Sequence, residues 1–389
     1  MFNRLSISAT SFLGASCPIE IVVDYKEEVP KHVRILSDQT LPPNFPNGWI
    51  PILESRAIQN NEVKSVTCFG QELAVIRGAI GKVYVIDAFC PHLGANLAIG
   101  GEVNRTQNCK EDCIRCPFHG WSFRMSDGKC SDIPYEESPD KYAKVRLWEC
   151  KEVNGAIFVW YHAESQTPNW HLQPVGPIES NDWIYRGRTE HLVNCHMQEI
   201  PENGADVAHL GEIHVQPFMY GSDLNRINKL KRLFNVLEHD WKAEWNVCNP
   251  PNDHMTEINI INTNKLFGIA LLSVTLKVNQ IGPGYVELRF QSSFLGGVKG
   301  VMLQFVTPIG PMRNSIVHQV YTENTLSGYF FSKFLLIAES KMLERDIQIW
   351  NRKAFMKKIY PSKSEKSLVK YRRWFAQFYS ENSKRMIDW

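Results

Sequence analysis

Short apolar and β-branched runs, separated by turn residues, make up most of the first half of the chain. Runs at 73–77 and 82–87 flank a short glycine turn, and two further runs flank Asn154-Gly155, the dipeptide most typical of tight β-hairpins. After a proline-rich stretch at 168–177, longer candidate strands follow at 183–193, 230–247, 255–280, 284–295, 300–308 and 315–323. The pattern predicts a small all-β region followed by a larger sheet.

A helical pattern takes over near the end of the chain. Apolar residues recur at helical spacing from Tyr329 to Met356, and a second, basic helix is predicted over 365–379. An antiparallel sheet with helices to one side defines the α+β class. We therefore expect an α+β protein with an N-terminal segment at 1–46, an all-β domain at 47–165 and a second domain at 166–389.

Two cysteine–histidine pairs interrupt the all-β region. They are Cys90-Pro91-His92 and Cys116-Pro117-Phe118-His119, each followed closely by a glycine, Gly94 and Gly120. Two thiolates and two imidazoles are the ligand set of a Rieske [2Fe–2S] cluster, in which the Cys bind one iron and the His the other. We predict that Cys90, His92, Cys116 and His119 hold such a cluster at the tip of the all-β domain.

Zinc is the alternative metal for this ligand set, since it also accepts two Cys and two His. Zinc fingers, however, pair like ligands, whereas each loop here mixes a thiolate with an imidazole. Cys109 and Cys113 lie close before Cys116 and can form a zinc or redox pair with it only if Cys116 is free of the cluster. The mixed loops therefore favour the cluster.

A second group of metal-ligand residue types lies in the second domain. Asp206, His209 and His214 follow Glu202 within one short stretch. Iron(II) that activates O₂ is typically held by two His and one carboxylate, with open positions left for O₂ and substrate. Residues five apart are rotated by about 140° on a straight helix. We therefore expect the helix to bend or widen at Gly211 so that both imidazoles reach one iron.

The two ligand groups together resemble the Rieske non-haem iron oxygenases. Over Glu202 to His214 the chain is similar to that family's catalytic motif, although the gap between His92 and Cys116 is longer than usual, with extra polar residues around 104–113. The resemblance implies that His209 and His214 bind the catalytic iron and that Asp206 bridges electrons from a Rieske His of a neighbouring subunit. A late carboxylate completes the iron site, and the candidate is Asp346, with Glu339 and Glu344 as rivals. A surface salt bridge of Asp346 with Arg345 or Lys341 is the structural alternative.

The resemblance also implies the cofactors and partners. It implies a [2Fe–2S] cluster, Fe²⁺, O₂ as cosubstrate, and electrons from NAD(P)H through a separate reductase or ferredoxin, since the chain shows no dinucleotide-binding glycine motif. It further implies a homotrimer. An electron-transfer protein that only carries the cluster is an alternative of another class, and the length of 389 residues speaks against it.

Composition narrows the location and the partners. The net charge of +2 argues against nucleic-acid binding. The ten cysteines show no disulfide framework, which indicates a reducing, intracellular location facing the cytoplasm. No apolar run approaches the length of a membrane span, so association with the endoplasmic reticulum would be peripheral. A basic C-terminal segment, from Lys353 to Arg373, can meet anionic lipid or an acidic electron donor, or it can be a solvated helix face.

The substrate is indicated by resemblance alone. The stretches from Cys90 to Leu97 and from Cys195 to His214 resemble the Neverland-type cholesterol 7-desaturases of animals. The resemblance implies cholesterol as the sterol substrate, 7-dehydrocholesterol as product and a place in steroid hormone synthesis. A Rieske hydroxylase acting on another steroid or hydrophobic substrate is the alternative, because the ligand set does not separate desaturation from hydroxylation.

Overall fold

The computed structural model describes eleven stretches of the chain: 5–8, 19–23, 41–104, 111–137, 143–214, 221–231, 237–266, 269–293, 296–356, 359–362 and 365–385. The described residues form two compact units. The small unit comprises Trp49–His162 and Thr167–Gln173. The large unit comprises the described residues before Trp49, Ala163–Gln166 and the described residues from Pro174 onward.

Two short strands precede the small unit in sequence: β1 (Leu5–Ser8) and β2 (Ile19–Val23). The strands that follow are β3 (Gly48–Glu54), β4 (Glu62–Cys68), β5 (Gln71–Arg77), β6 (Val83–Asp87), β7 (Glu102–Asn104), β8 (Cys113–Arg115), β9 (Ser122–Arg124), β10 (Cys130–Asp132), β11 (Leu147–Trp148), β12 (Cys150–Val153) and β13 (Ala156–Tyr161). In the small unit they form three antiparallel sheets with the orders β10-β9-β8-β7, β11-β6-β5-β4 and β12-β13-β3. A short 3₁₀ turn covers Ser55–Ala57.

The two predicted hairpins of the small unit are present. Asn154 and Gly155 have φ values of 53° and 76°, and they join β12 to β13. Positive φ at both central positions is what a two-residue turn between twisted strands requires, and Asn-Gly adopts it at low cost. The other hairpin joins β5 to β6 through a turn in which the Gly78 N–H donates to the Lys82 carbonyl at 2.8 Å.

The large unit is built on one nine-stranded sheet. Its further strands are β14 (Trp183–Val193), β15 (Leu237–Val247), β16 (Met255–Leu266), β17 (Ile269–Ile281), β18 (Tyr285–Ser292), β19 (Val298–Gly310) and β20 (Arg313–Glu323). The strand order is β1-β2-β14-β20-β19-β18-β17-β16-β15, and only the β2–β14 pair is parallel. The antiparallel sheet with accompanying helices confirms the α+β prediction.

One predicted strand was wrong, because the run at 255–280 forms the two antiparallel strands β16 and β17. A single strand of that length would extend roughly 85 Å at about 3.3 Å per residue, far more than one domain spans. The end of β16 is polar, at Asn262-Thr263-Asn264-Lys265, so the sequence did carry a signal for the strand boundary that the prediction missed.

Six helices are described: α1 (Gly176–Glu179), α2 (Glu199–Glu202), α3 (Val207–Ile213), α4 (Leu224–Lys231), α5 (Leu326–Trp350) and α6 (Lys366–Phe375), with a 3₁₀ turn at Ala376–Phe378. The long helix α5 starts and ends earlier than predicted. Its start is fixed by Thr325, whose hydroxyl accepts from the Gly328 N–H at 3.0 Å and caps the helix. It packs on β14, β20 and β19, burying Phe331 and Leu336 against the sheet.

Helix α6 carries a buried aromatic face. Tyr371, Trp374 and Phe375 pack with Trp245 and Ile258 of the sheet. On the opposite face, Lys366, Lys370 and Arg373 are exposed. The predicted basic helix is therefore basic on one face and part of the core on the other.

Candidate metal centres

The two cysteine–histidine loops of the small unit have the same backbone hydrogen bonds. The Cys90 N–H donates to the Ala95 carbonyl at 2.9 Å, and the Cys116 N–H donates to the Trp121 carbonyl at 2.8 Å. In each loop the glycine four residues after the Cys donates back to that Cys carbonyl, at 2.9 Å from Gly94 and 3.1 Å from Gly120. The matching bonds make the loops two copies of one ligand-presenting turn.

Both glycines are required by backbone conformation. Gly94 and Gly120 have φ values of +72° and +75°, which side chains of L-residues rarely adopt. A Cβ on Gly120 would also lie 2.7 Å from the Pro134 ring, whereas a Cβ on Gly94 would meet nothing within 4 Å. The second loop is therefore tightly packed and the first lies open.

The four side chains of the loops converge on one place. The Cys90 and Cys116 thiols are buried and interact with each other, and burial followed by the nearby Cys116 raises the pKa of Cys90 to about 11. The rings of His92 and His119 lie 4.7 Å apart between centroids. Two inward thiols beside two outer imidazoles match the donor set of a Rieske cluster, since bound iron replaces the thiol protons.

The position of His92 depends on a residue that the sequence analysis did not single out. The Trp121 ring stacks on the His92 ring with centroids 4.4 Å apart, and its Nε1–H donates to the Tyr135 hydroxyl at 2.7 Å. Trp121 lies in the second loop, so it links the two ligand loops. An aromatic residue shortly after the His119 ligand was the only available signal.

Most, but not all, of the described cysteines outside the two ligand loops are free thiols. Cys68, Cys130, Cys150, Cys195 and Cys248 are free thiols. Cys113, in contrast, is disulfide-bonded, so not every cysteine outside the cluster loops is a free thiol as a reducing location would suggest. Cys116 faces Cys90 and is therefore not available to a separate zinc or redox pair. Cys109 and most of the polar tract before it lie outside the described residues.

The second centre lies in the large unit and brings together His209, His214 and Asp346. Each of these residues offers one ligand atom, and the three atoms all lie within 4.8 Å of one another. The His214 Nε2 and Asp346 Oδ2 atoms are 3.1 Å apart. Two ligands at right angles, each about 2.1 Å from one metal, would be about 3 Å apart. The arrangement fits a two-His, one-carboxylate metal site.

The local backbone brings the two His together in a way that the sequence analysis did not predict. Helix α3 runs without interruption through Gly211 and ends at Ile213, so that His214 is its C-cap with φ −104° and ψ 7°. The expected bend or widening at Gly211 was wrong, because α3 is a continuous α-helix there. His214 leaves the helical path at the end of the helix, and its ring lies 5.2 Å from that of His209.

Asp206 starts the same helix. Its carboxylate accepts from the His209 N–H at 3.3 Å, and its carbonyl oxygen contacts His209 Nδ1. This contact occupies Nδ1 of the imidazole and leaves Nε2 available as the ligand atom. Burial lowers the pKa of His209, which favours the neutral ring that a metal requires.

Arg345 fixes the position of Asp346 relative to the His residues. The guanidinium is fully buried and donates to the Ile213 carbonyl at 3.0 Å and to the Gly221 carbonyl at 3.0 and 2.9 Å. It thereby ties α5 to the residue just before His214. The sequence suggests Arg345 only as a salt-bridge partner of Asp346 and carries no signal for this contact.

The rival carboxylates lie elsewhere among the described residues. Glu344 pairs with Lys341 at 2.8 Å, and Glu339 contacts His318 at 3.2 Å. Asp346 itself is only 8% exposed, so it is not the surface ion pair that was considered as its alternative. The His214 Nδ1 atom is buried and has no hydrogen-bond partner among the described residues, so Nε2, which lies beside Asp346, is the nitrogen placed to bind a metal.

Two residues of the predicted basic C-terminal segment form internal ion pairs. Lys353 lies 3.0 Å from the buried carboxylate of Glu199, and Arg372 contacts Glu202, the leading acid of the motif. These two cations therefore support the helices that precede the metal site. Lys357, Lys358 and Lys363 lie outside the described residues.

The fold and both ligand groups are those of a Rieske non-haem iron oxygenase. Residues 48–149 match the Rieske [2Fe-2S] domain, and residues 159–379 match the 3-Ketosteroid 9alpha-hydroxylase C-terminal domain. An oxygenase of this class uses a [2Fe–2S] cluster, a mononuclear iron, O₂ and electrons from a separate reductase, and the chain is an oxidoreductase accordingly.

The curated relatives narrow this class to one family. The chain is 43% identical over 357 residues to cholesterol 7-desaturase nvd of Xenopus laevis, covering 90% of this chain and 76% of the relative. It is 41% identical over 369 residues to cholesterol 7-desaturase nvd of Drosophila melanogaster, covering 94% and 82%. The chain belongs to the cholesterol 7-desaturase family of Rieske oxygenases.

More distant proteins share the fold. The chain is 25% identical over 351 residues to the oxygenase component of 3-ketosteroid-9-alpha-monooxygenase of Rhodococcus rhodochrous, covering 89% of this chain and 87% of the relative. Dicamba monooxygenase bound to dicamba superposes with a TM-score of 0.64 at 14% identity, covering 87% of this chain and 98% of that one. NdmB of Pseudomonas putida CBB5 gives 0.62 at 16% identity, covering 86% and 93%.

Proposed function

We propose that this chain is a cholesterol 7-desaturase, which removes two hydrogens from cholesterol and yields 7-dehydrocholesterol for steroid hormone synthesis. The observation that carries the proposal is the approach of Asp346 to His209 and His214, in a chain about two-fifths identical to cholesterol 7-desaturases over nine-tenths of its length. The two-His, one-carboxylate set leaves coordination positions open, as the oxidation of an unactivated C–H bond with O₂ requires.

The proposed residue roles follow from the geometry. Cys90, His92, Cys116 and His119 would hold the [2Fe–2S] cluster, and the two His and Asp346 would hold Fe²⁺. When bound, this iron supplies the activation of O₂. Asp206 positions His209 through its carbonyl and caps the helix with its carboxylate, while Arg345 holds the end of that helix against α5. These contacts fix the ligand atoms before metal and substrate arrive.

The chain takes its electrons from outside, because oxygenases of this class depend on a separate reductase or ferredoxin. We propose that the functional assembly is a homotrimer in which Asp206 bridges to a Rieske His of a neighbouring subunit. Two features support this arrangement. The Asp206 side chain is 30% exposed, and the large side chains beside the cluster ligands, Leu93 and Phe118, are 65% and 64% exposed. Apolar side chains in such positions are typical of surfaces that another protein covers.

We also propose a peripheral contact with a membrane, which is where a water-insoluble sterol is found. No helix of the described residues is both long and apolar enough to span a bilayer. One face of α5 nevertheless exposes Leu326, Phe330, Phe334 and Ile337, at 70%, 58%, 46% and 40%. Their spacing places them along a single stripe, which is the pattern of a helix lying in a bilayer surface. An intracellular location at the endoplasmic reticulum remains a prediction.

The membrane contact is tested by flotation with vesicles of phosphatidylcholine and cholesterol. Replacing Phe330 and Phe334 by Gln should reduce bound protein about tenfold or more, because burial of each aromatic side chain stabilises binding. Ile80→Gln is the matched control, since Ile80 is 76% exposed on a hairpin turn of the small unit. Equal flotation of the double variant and the native chain would eliminate α5 as the contact.

The desaturase function is tested by product mass. The iron-loaded chain is supplied with cholesterol, O₂, NAD(P)H and a ferredoxin–reductase pair, and the sterols are analysed by mass spectrometry. A product two hydrogens lighter than cholesterol is expected, and its formation should require the reductase. No oxidised product from a preparation with full cluster and iron content would reject the proposal.

A hydroxylase is the second candidate. It is favoured by the match of residues 159–379 to the 3-Ketosteroid 9alpha-hydroxylase C-terminal domain. The ligand set is compatible with both reactions, because they differ in the fate of the substrate radical. A product heavier by one oxygen would assign hydroxylation. Iron analysis tests the alternative that the chain only carries electrons. That alternative predicts two irons per chain, whereas an oxygenase has three.

A further inference from the structure

A row of buried polar side chains crosses the sheet of the large unit beneath α5. Thr189 on β14 lies directly opposite His318 on β20, and His318 lies directly opposite Gln304 on β19. Residues opposite each other in antiparallel strands share a face of the sheet. Thr189 and His318 are 0% and 2% exposed. Burying polar groups costs free energy unless they are hydrogen-bonded, so these side chains need hydrogen-bond partners inside the protein.

Glu339 of α5 joins this row from above. Its Oε1 lies 3.2 Å from His318 Nδ1, and its Oε2 accepts from the Thr189 hydroxyl at 3.3 Å. On the other side of the imidazole, His318 Nε2 lies 2.9 Å from Gln304 Oε1. Glu339 is therefore held in a fixed position over the sheet, and 13% of its side chain surface is still accessible.

The protonation states of this group are mutually consistent. Burial raises the pKa of Glu339 to about 8 and lowers the pKa of His318 to about 3, so both side chains are neutral at pH 7. With Gln304 Oε1 accepting from His318 Nε2–H, the Nδ1 atom is an acceptor and receives the Glu339 carboxyl proton. The carboxyl oxygens keep further lone pairs with which to accept from a ligand.

A neighbouring histidine has a ring nitrogen with no hydrogen-bond partner. His191 lies two residues after Thr189, on the same face of β14, and is fully buried. Its Nε2 is 3.3 Å from the Ser340 hydroxyl, while its Nδ1 has no hydrogen-bond partner within the part of the chain that the structure describes. A buried polar atom without a partner costs about 1–3 kcal/mol. A bound ligand that hydrogen-bonds to Nδ1 would remove this cost.

The position of Glu339 relative to the iron site is set by the helix. Glu339 and Asp346 are two turns apart on α5, which places both on the same face at a separation of about 10 Å along the axis. A substrate held at both places would present one carbon to the iron and a polar group to Glu339. In cholesterol the 3-hydroxyl and C7 lie on adjacent fused rings, a separation compatible with this spacing once the gap between metal and substrate is added.

We propose that Glu339 and His191, supported by Thr189 and His318, bind the hydroxyl group of the substrate. The inference rests on the proposed sterol substrate, whose hydroxyl would donate to a Glu339 carboxyl oxygen and accept from His191 Nδ1–H. A hydroxyl has one donor and two acceptor positions, so both contacts can form at once. The site thereby selects a 3-hydroxysterol and determines which ring carbon meets the iron.

The test compares two sterols that differ only in this group, cholesterol and cholest-5-ene, which lacks the hydroxyl. Dissociation constants are measured without turnover, by anaerobic equilibrium binding of radiolabelled sterol in detergent to the cluster- and iron-loaded chain. The native chain should bind cholesterol about tenfold or more tightly than cholest-5-ene. Glu339→Leu should abolish this preference by weakening cholesterol binding alone. Glu339→Gln retains a donor for His318 and an acceptor for the sterol, so it should keep most of the preference.

The controls separate a binding role from a structural one. Glu190→Leu alters the next residue after Thr189 on β14, which points to the other face of the sheet and pairs with Arg188 at 2.6 Å. It should leave the preference unchanged. The Rieske EPR spectrum and iron content report whether each variant is folded. If Glu339→Leu does not fold, His191→Leu tests the site instead, and it should likewise reduce the preference for cholesterol over cholest-5-ene.

Two results would overturn the hydroxyl site. One is a native chain that binds both sterols equally. The other is a folded Glu339→Leu or His191→Leu variant that weakens both sterols alike or neither. Because binding is measured without turnover, failure of the desaturase function appears separately, as absence of product from native enzyme that still prefers cholesterol.

Discussion

The carboxylate of Asp346 lies 3.1 Å from the imidazole of His214, although more than a hundred residues separate them in the chain. The contact joins the long helix α5 to the end of the short helix α3. It completes a ligand set whose other two members are local neighbours. Several predictions about the metal centres depend on this approach and on the loops that carry the cluster ligands.

Replacing Asp346 by Asn should remove the mononuclear iron and leave the cluster. A carboxamide is a neutral and weaker ligand for Fe²⁺, so iron analysis should fall from three to two atoms per chain while the Rieske EPR signal persists. Glu344→Gln on the same helix is the control, since Glu344 pairs with Lys341, and it should retain three irons. Three irons in Asp346→Asn would assign the third ligand to another residue.

Two variants of Asp206 should distinguish its helix-capping role from a role in electron transfer. Asn is as good an N-cap as Asp, so Asp206→Asn should keep the stability of α3, whereas Asp206→Ala should lose about 0.5–2 kcal/mol. If Asp206 bridges electrons, Asp206→Asn should still lower turnover by about 10–100-fold, as is typical of partners that orient metal ligands. Iron content and cluster reduction by the reductase are measured in parallel. Native turnover by Asp206→Asn would exclude the bridging role.

The glycines of the two ligand loops should differ in their tolerance of a side chain. Gly120→Ala places a Cβ 2.7 Å from Pro134 at positive φ, and it should prevent cluster assembly. Gly94→Ala meets nothing within 4 Å and should cost only about 1–2 kcal/mol of conformational strain, with the cluster retained. Visible absorption and EPR of the two purified variants give the comparison. Equal cluster content in both would mean that Pro134 moves aside.

The stability of the small unit should depend on Asp127 in a defined pH range. A hydrogen bond from Arg124 is the main cause that lowers the pKa of Asp127 to about 2 from its usual value near 3.8. A lowered folded-state pKa contributes stability above the unfolded-state pKa, and this contribution is lost as the pH falls toward 2. Asp127→Asn should therefore destabilise by no more than about 1 kcal/mol at pH 7, since the pair is partly exposed, and by roughly half as much at pH 3.

Urea unfolding at the two pH values measures this difference. Glu137→Gln, an exposed position in the same unit, is the control for a general charge effect. A destabilisation by Asp127→Asn that grows on acidification would contradict the sign of the argument.

The sequence alone determined those features whose hydrogen bonds and ligands are close neighbours in the chain. Cys90 with His92 and Cys116 with His119 form ligand loops within a few residues, and Asn154-Gly155 makes its turn from its own backbone preferences. Most of the longer strands of the large sheet and the long helix were also visible, because their apolar periodicity repeats over many residues. Asp206 and His209 share one helical turn, so their proximity follows from spacing.

Only the tertiary structure decided which distant side chains meet. Packing of α5 on β14 and β20 places Asp346 beside His214 and Glu339 above Thr189 and His318, and it turns Arg345 toward the carbonyl of Ile213. Likewise, Lys353 and Arg372 looked like members of a basic surface but bind Glu199 and Glu202. Such contacts arise from the register of a helix over a sheet, which local propensity does not encode. The metal-ligand types are therefore readable in the sequence, whereas the approach of Asp346 to the two His and of Glu339 to the polar row depends on the packed core.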